Sequence, residues 1–111
     1  MEMAVEELAG GITKVALSGR FDIAGAEAVD LKMNVIAGSS KLLLIDMQKV
    51  SFIGSMGLRT LVSAARAVKN RGGKIAAFGP DELVEKVLTT SAVNTLVPIH
   101  RDFENAIAAL Q

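Results

Sequence analysis

The residue with the clearest chemical potential in this sequence is Ser55, which lies in the segment Gly54-Ser55-Met56-Gly57 after a dense apolar run. A helix pattern begins in this segment, so we predict that Ser55 is the N-cap of a helix. A serine cap accepts a hydrogen bond from a free backbone N–H group and is worth about 1 kcal/mol. The position also suits a phosphate, because a helix N-terminus favours the roughly 1.5 to 2 negative charges of a phosphoserine. The spacing leaves two interpretations, a capping serine and a hydroxyl presented to a partner enzyme.

Other residues that could support catalysis or metal binding are sparse. His100 is the only histidine and there is no cysteine, so neither a metal-ligand cluster nor a thiolate nucleophile is indicated. Ser55 would need a general base to act as a nucleophile, and His100 is far away in sequence. The segment Arg71–Lys74 lacks the spacing of a phosphate-binding loop and is interpreted as a turn. We therefore predict no catalytic residue, no metal site, no cofactor and no enzymatic activity, and we expect His100 at the surface.

The composition indicates one ordinary domain. The chain has 111 residues, 50% of them hydrophobic, and its 12 basic and 12 acidic residues cancel without forming blocks. Nucleic-acid binding is not expected, because no basic face with interleaved aromatic residues is apparent. The acidic N-terminus lacks a signal sequence, and no apolar run reaches the roughly 18 residues of a membrane-spanning helix. The sequence predicts a single domain over residues 1–111 that is cytoplasmic, with no membrane insertion.

The elements around Ser55 are the best defined. The run Leu42–Ile45 has no polar alternation, which is typical of a central parallel strand with both faces covered. We expect Asp46–Lys49 to leave the sheet as a loop. Beyond Ser55, apolar residues at helical spacing predict an amphipathic helix that ends near Gly72: Leu58, Leu61, Val62, Ala65 and Val68.

The segments before this core predict a hairpin and a helix. Met3–Glu6 and Thr13–Ser18 alternate in polarity on either side of Gly10-Gly11, as in an edge β-hairpin. A helix from Ala24 to about Ala37 has a wide apolar face that we expect to pack on the sheet. That face consists of two stripes, the first with Ala24, Ala28, Leu31 and Val35, and the second with Val29, Met33 and Ile36.

The segments after the core predict two strands, each followed by a helix. The strands are Lys74–Phe78 and Leu96–Ile99. The helix residues expected to face inward are Leu83, Val84, Val87 and Leu88 in the first helix, and Phe103, Ile107 and Leu110 in the second. The order β-β-α-β-α-β-α-β-α predicts an α/β fold with a mixed, mostly parallel β-sheet, an N-terminal β-hairpin and about four helices.

The segment Asp46–Leu58 resembles the signature of STAS domains, in particular of bacterial anti-sigma factor antagonists. That pattern runs roughly Asp-apolar-x-x-Val-x-Phe-apolar-Asp-Ser-x-Gly-Leu, and Gly54 stands where the family usually has aspartate. A second family step, Gly-x-apolar-Asp, is met by Gly19–Asp22. The resemblance extends over essentially the whole chain. It implies the STAS fold, in which Asp22 would lie close to the Ser55 loop. Without the resemblance, Asp22 is interpreted as the N-cap of the first helix, and the two interpretations are compatible.

The resemblance implies a partner switch. The unphosphorylated chain would bind an anti-sigma factor of the histidine-kinase-like ATPase type, which would release it by phosphorylating Ser55. A metal-dependent serine phosphatase would reverse this step. The chain is expected to be a monomer that forms heterocomplexes, with a partner-binding surface made of Asp22, Ile53, Gly54, Met56, Gly57 and Arg59.

The sequence raises two other functions. The first is a STAS docking or scaffold module that is not regulated by phosphorylation, for example a cytosolic subunit of a lipid-transport complex, and Gly54 motivates it. The second is a receiver domain, with Asp46 as a phosphorylatable aspartate at a strand end. Receivers need an acidic pair directly after the first strand and a lysine after the last. Glu6-Glu7 lead instead into a Gly-Gly turn, and Pro98–His100 contains no lysine, so this possibility is disfavoured.

Overall fold

The computed structural model of the protein describes residues 1–111. Five strands lie side by side in chain order: β1 (Glu2–Leu8), β2 (Ile12–Phe21), β3 (Leu42–Ile53), β4 (Lys74–Phe78) and β5 (Ile99–His100). β1 and β2 pair antiparallel as the predicted edge hairpin, and all other neighbouring strands are parallel. The mixed, mostly parallel sheet is therefore confirmed.

Four helices connect or follow the strands: α1 (Ile23–Ser39), α2 (Ser55–Asn70), α3 (Glu82–Thr90) and α4 (Phe103–Leu110). A short 3-10 helix spans Val93–Thr95. The element order is the predicted one, and the α/β fold class is confirmed. None of the helices combines the length and the apolar character needed to cross a bilayer.

Both faces of the sheet are covered, as the apolar run in β3 predicts. Leu43 and Ile45 lie in a core of 22 buried residues with α1, α2 and α3. Leu44 points to the other face and lies in a core of six buried residues with α4. Successive strand residues point to opposite faces, so an uninterrupted apolar run fits a strand between two helix layers.

β3 is longer than the sequence predicts. Asp46–Lys49 remains in the sheet, because β2 continues past the end of β4 and pairs with β3 as far as Phe21 opposite Ile53. β4 pairs with β3 only up to Asp46. The distal half of β3 thus has a single neighbour, and two register shifts interrupt the ladder there. We call this two-stranded segment, Ser18–Phe21 with Lys49–Ile53, the β2–β3 extension.

α1 buries only one of its two apolar stripes. Val29 and Met33 are buried, whereas Leu31 is 78% exposed and Val35 is 65% exposed. The first predicted stripe is therefore wrong as a core face. The two stripes lie on largely opposite sides of a helix with about 3.6 residues per turn, and only one side can face the sheet.

α3 and α4 also bury fewer residues than the sequence predicts. Leu83 is 76% exposed, and Val87 and Phe103 are partly exposed. Each of these short helices buries only one narrow stripe. The stripe of α3 consists of Val84 and Leu88, and that of α4 consists of Ala106 and Leu110.

The chain reaches its last strand later than predicted. The 3-10 helix precedes β5, and β5 meets only Ala77 and Phe78 at the end of β4. His100 is half-buried instead of lying at the surface, because β5 carries it beside Phe78. Its Nε2 atom is buried and has no hydrogen-bond partner.

Candidate functional site

The site lies where the β2–β3 extension ends and two helices begin. Phe21 and Ile53 are paired across the parallel strands, and the backbone N–H of Gly54 donates to the carbonyl oxygen of Phe21 at 3.0 Å. α1 starts two residues after Phe21, and α2 starts two residues after Ile53. Both helix N-termini are thus brought to the same edge of the sheet, which places Asp22 beside the Ser55 loop as expected.

Ser55 is the first residue of α2, and the N-cap is Gly54. The prediction that Ser55 caps the helix is therefore wrong by one residue. Gly54 has the extended conformation of a cap, with φ −113° and ψ −173°, and no side chain caps the helix. The N–H groups of the first turn of a helix have no partner within the helix. Ser55 is exposed at this end of α2, so its hydroxyl is free to react or to bind.

A shallow groove of about 290 Å³ surrounds Ser55. Its wall is formed by Arg20 and Phe52, which face each other across the β2–β3 extension. The guanidinium carbon of Arg20 lies 4.3 Å from the centre of the Phe52 ring, a cation–π distance. The groove is lined by Arg20, Asp22, Ile23, Phe52, Gly54, Ser55 and Met56.

Asp22 is the N-cap of α1 as well as a lining residue of the groove. Its Oδ1 accepts a hydrogen bond from the backbone N–H of Gly25 at 2.8 Å, and its Oδ2 accepts from Nε of Arg20 at 3.4 Å. The bond from Gly25 is the largest cause that lowers the pKa of Asp22 below its ordinary value of 3.8; partial desolvation opposes it, and the bond from Arg20 assists. Asp22 is therefore ionised at neutral pH, and its charge is balanced by Arg20.

The lowered pKa of Asp22 predicts a contribution to acid sensitivity. A carboxyl group whose pKa falls on folding stabilises the protein above its unfolded pKa, and this contribution disappears as the pH falls through the folded pKa. We expect Asp22→Asn to be less stable than the wild type at neutral pH, and we expect the difference to shrink as the pH falls through the lowered pKa of Asp22. Denaturant unfolding across the acid range measures this. A difference between Asp22→Asn and the wild type that persisted unchanged into the acid range would show that the charge of Asp22 is not its source.

Gly54 occupies a position that also accepts a side chain. Its φ is in the region that all residues adopt, and a Cβ there would lie 3.2 Å from Cε2 and 3.5 Å from Cζ of Phe52. Phe52 is 39% exposed, so its ring has room to shift slightly.

We expect Gly54→Asp to stabilise the protein by about 0.5 to 1 kcal/mol. The new carboxylate would cap α2, and the unfolded chain would lose the freedom of a glycine. Denaturant unfolding tests this, with Gly54→Ala as the matched variant that adds the Cβ without a cap. Equal stability of the two variants would show that the carboxylate does not cap α2.

Ile53 and Gly57 differ from the other predicted site residues because both are buried. Ile53 is 4% exposed and belongs to the larger core. A Cβ on Gly57 would lie 2.6 Å from the carbonyl oxygen of Phe21. Both residues therefore shape the loop from beneath and offer little surface to a partner.

Met56 connects the Ser55 groove to a second groove, of about 280 Å³, between α1 and α2. Arg59 lines this second groove with Asp30. The hydroxyl of Thr60 lies within hydrogen-bond distance of both the Asp30 carboxylate and the Met56 carbonyl, which share its single proton. The structure thus groups Asp22, Gly54, Ser55 and Met56 in one groove and places Arg59 in the adjoining one.

The sequence did not predict a role at the site for Arg20, Phe52 or the Thr60–Asp30 contact. Arg20 and Phe52 stood within the two family motifs, but their stacking depends on the register between β2 and β3. Thr60 and Asp30 are 30 residues apart on different helices. A polar residue such as Thr60 on the otherwise apolar stripe of α2 was the one available signal.

Comparison with known proteins identifies the family. A family model described as the STAS domain matches residues 4–106. The anti-sigma F factor antagonist of Paenibacillus polymyxa is 22% identical over 103 residues, which cover 91% of this chain and 88% of that protein.

Solved structures share the fold. An anti-sigma factor antagonist from Mycobacterium paratuberculosis superposes with a TM-score of 0.86 at 24% identity, covering 98% of this chain and 92% of the other. The Bacillus cell fate determinant SpoIIAA in its phosphorylated form superposes with a TM-score of 0.74 at 18% identity, covering 99% of this chain and 100% of the other. Because the family model spans nearly the whole length, this chain belongs to the STAS domain family.

Proposed function

We propose that this chain is an anti-sigma factor antagonist that acts in a partner switch, with Ser55 as its phosphoacceptor. The observation that carries the proposal is the position of Ser55, an exposed hydroxyl on the first residue of α2 in a groove shared with Asp22 and Met56. Relatives named as anti-sigma factor antagonists support this role. The unphosphorylated chain binds an anti-sigma factor kinase through the surface around Ser55, and a phosphate on Ser55 releases it.

The first turn of α2 suits a phosphate. Its free N–H groups and the positive end of the helix dipole favour an anion there. Arg59 follows Ser55 by four residues, a spacing at which charged side chains on a helix interact. SpoIIAA, which shares the fold, has been solved in a phosphorylated form. Phosphorylation of Ser55 would therefore change the surface without opposing the fold.

The same phosphate would change the charge of the groove. The ionisable residues that line it are Arg20 and Asp22, which form an ion pair and cancel. A phosphoserine would add roughly 1.5 to 2 negative charges. Like charges brought together in an interface cost several kcal/mol, and about 1.4 kcal/mol already changes affinity tenfold. A partner that fits the near-neutral groove would thus be expelled.

The partners perform all the catalysis in this proposal. The kinase is an anti-sigma factor of the histidine-kinase-like ATPase type that transfers the phosphoryl group from ATP to Ser55. A metal-dependent serine phosphatase removes it. The chain supplies only the acceptor hydroxyl and its surroundings, contributes no catalytic group, and works in the cytoplasm, where the kinase finds ATP. No group of three or more His, Cys, Asp or Glu side chains in it is placed to hold a metal ion.

Phosphosite mapping tests the proposal. Purified protein is incubated in host lysate with ATP and magnesium and then analysed by mass spectrometry, beside a Ser55→Ala variant. We expect phosphate on Ser55 in the wild type. The peptide that contains position 55 in the Ser55→Ala variant should carry no phosphate. An unmodified protein, in a lysate from which it captures its partner, would contradict the switch.

One observation favours a second function, constitutive docking without phosphorylation. Gly54 replaces the aspartate that antagonists of this family usually carry before the serine, so a kinase that reads that carboxylate would not find it. In this case the same grooves would hold a partner permanently, as in a scaffold or a cytosolic subunit of a lipid-transport complex. Continued binding by a Ser55→Glu variant would favour this function.

A further inference from the structure

The outer face of α1 is an apolar stripe that faces solvent. Its four residues, which we call the α1 stripe, are separated by four, three and four positions: Ala24, Ala28, Leu31 and Val35. All four are exposed, and the opposite side of the helix is buried through Val29 and Met33. A helix that is apolar on two sides is typical of a helix covered on both. Exposed apolar residues that cluster on one face of a helix are a feature of interaction sites.

The α1 stripe has the spacing of a coiled coil. In heptad notation Leu31 occupies a d position and Val35 an a position, a combination that favours two parallel helices. Glu27 then falls at g and Lys32 at e, on opposite sides of the stripe. Both side chains are exposed, and neither forms an ion pair within the chain.

We propose that this chain forms a parallel homodimer through the α1 stripe, and charge complementarity selects this occupant. A two-fold axis along the helix puts Glu27 of one copy on the same side as Lys32 of the other. The two residues are five positions apart, about 7.5 Å along the axis, which is the g-to-e′ spacing of parallel coiled coils. The contact occurs twice in the dimer. An antiparallel pair would instead put Glu27 beside Glu27 and Lys32 beside Lys32.

The size of the contact makes the dimer reversible. Four stripe residues and two flanking charges per copy are fewer than the about 20 to 30 residues a side of a standard interface. The dimer would also place both Ser55 grooves at the same end, because Asp22 lies at the N-terminus of α1 and parallel helices share their direction. This inference does not rest on the proposed function.

Sedimentation equilibrium of the purified chain tests the dimer at concentrations from about 10 μM to about 1 mM, a range suited to weak and reversible association. We expect the apparent mass to rise with concentration from 11.6 kDa toward twice that value. Leu31→Gln combined with Val35→Gln should weaken association at least about tenfold. Leu83→Gln is the matched control, because Leu83 is a comparably exposed leucine on α3, and it should change association by less than about twofold.

A charge swap tests the parallel arrangement. Glu27→Lys and Lys32→Glu should each weaken association roughly threefold to tenfold, and the double variant should recover it. Circular dichroism confirms that each variant is folded. A mass that stays at 11.6 kDa over the whole concentration range would overturn the dimer. The α1 stripe would then be a contact surface for a different protein. Equal loss in Leu83→Gln, or no recovery in the double variant, would overturn the assigned interface.

Discussion

Replacing Gly57 by alanine is expected to destabilise the protein by about 2 kcal/mol and to lower its Tm by roughly 10 °C. The added Cβ would lie 2.6 Å from the carbonyl oxygen of Phe21, 2.7 Å from Cγ of Phe21 and 3.0 Å from Cγ1 of Ile53. That oxygen already accepts the N–H of Gly54, so the clash cannot be relieved without moving α2 from β2. The helix propensity of alanine, about 1 kcal/mol better than that of glycine, offsets only part of the cost. Denaturant and thermal unfolding measure both quantities.

Gly38→Ala is the matched control, because it makes the same chemical change in α1 without a clash. No atom lies within 4 Å of a Cβ at Gly38, and its φ is not positive. We expect this variant to be more stable than the wild type by roughly 0.5 to 1 kcal/mol. If Gly57→Ala were as stable as Gly38→Ala, the close packing of α2 on β2 would not be a constraint, and Gly57 would be free to serve a partner instead.

The sequence predicted the fold because its strongest signals are local. An unbroken apolar run requires burial on both faces, which Leu43 and Leu44 achieve in separate cores. The stripe of α2 was also read correctly at Leu61, Ala65 and Val68, since its opposite face is charged or polar. In such segments the burial pattern follows from residue type alone, so the layer arrangement could be derived without the structure.

The sequence could not show which of two apolar helix faces is buried, or which residues lie opposite each other on neighbouring strands. In α1 both sides are apolar, and burial of Met33 rather than Leu31 follows from how the helix meets the sheet. The stacking of Arg20 on Phe52 depends on the pairing of β2 with β3, including its register shifts. The N-cap of α2 is Gly54 because that residue, not Ser55, has extended dihedral angles. This difference of one residue matters, since a serine already inside the helix presents its hydroxyl to solvent instead of capping.

The free hydroxyl of Ser55 leads to the second large effect. Ser55→Glu is expected to weaken binding of the proposed anti-sigma factor kinase about 100-fold, which is about 2.8 kcal/mol. The carboxylate imitates part of the phosphate charge in a groove where Arg20 and Asp22 otherwise cancel. The fold should be unaffected, because an acidic residue in the first turn of α2 is favourable to the helix. Affinity is measured by biolayer interferometry with the kinase recovered from the host lysate, and unfolding of the same variant is measured in parallel.

Ser91→Glu is the control for charge alone. Ser91 is exposed at the end of α3, and helices that connect parallel strands run opposite to them, so it lies at the edge of the sheet away from Ser55. This variant should bind the kinase within about twofold of the wild type. Ser55→Ala should also bind, since it adds no charge and removes no hydrogen bond of the cap. If Ser55→Glu bound as tightly as these two variants, and the wild type was still phosphorylated on Ser55, the modification would not release the partner. If it bound as tightly and no phosphate formed, Gly54 would mark a chain that docks permanently through the same groove.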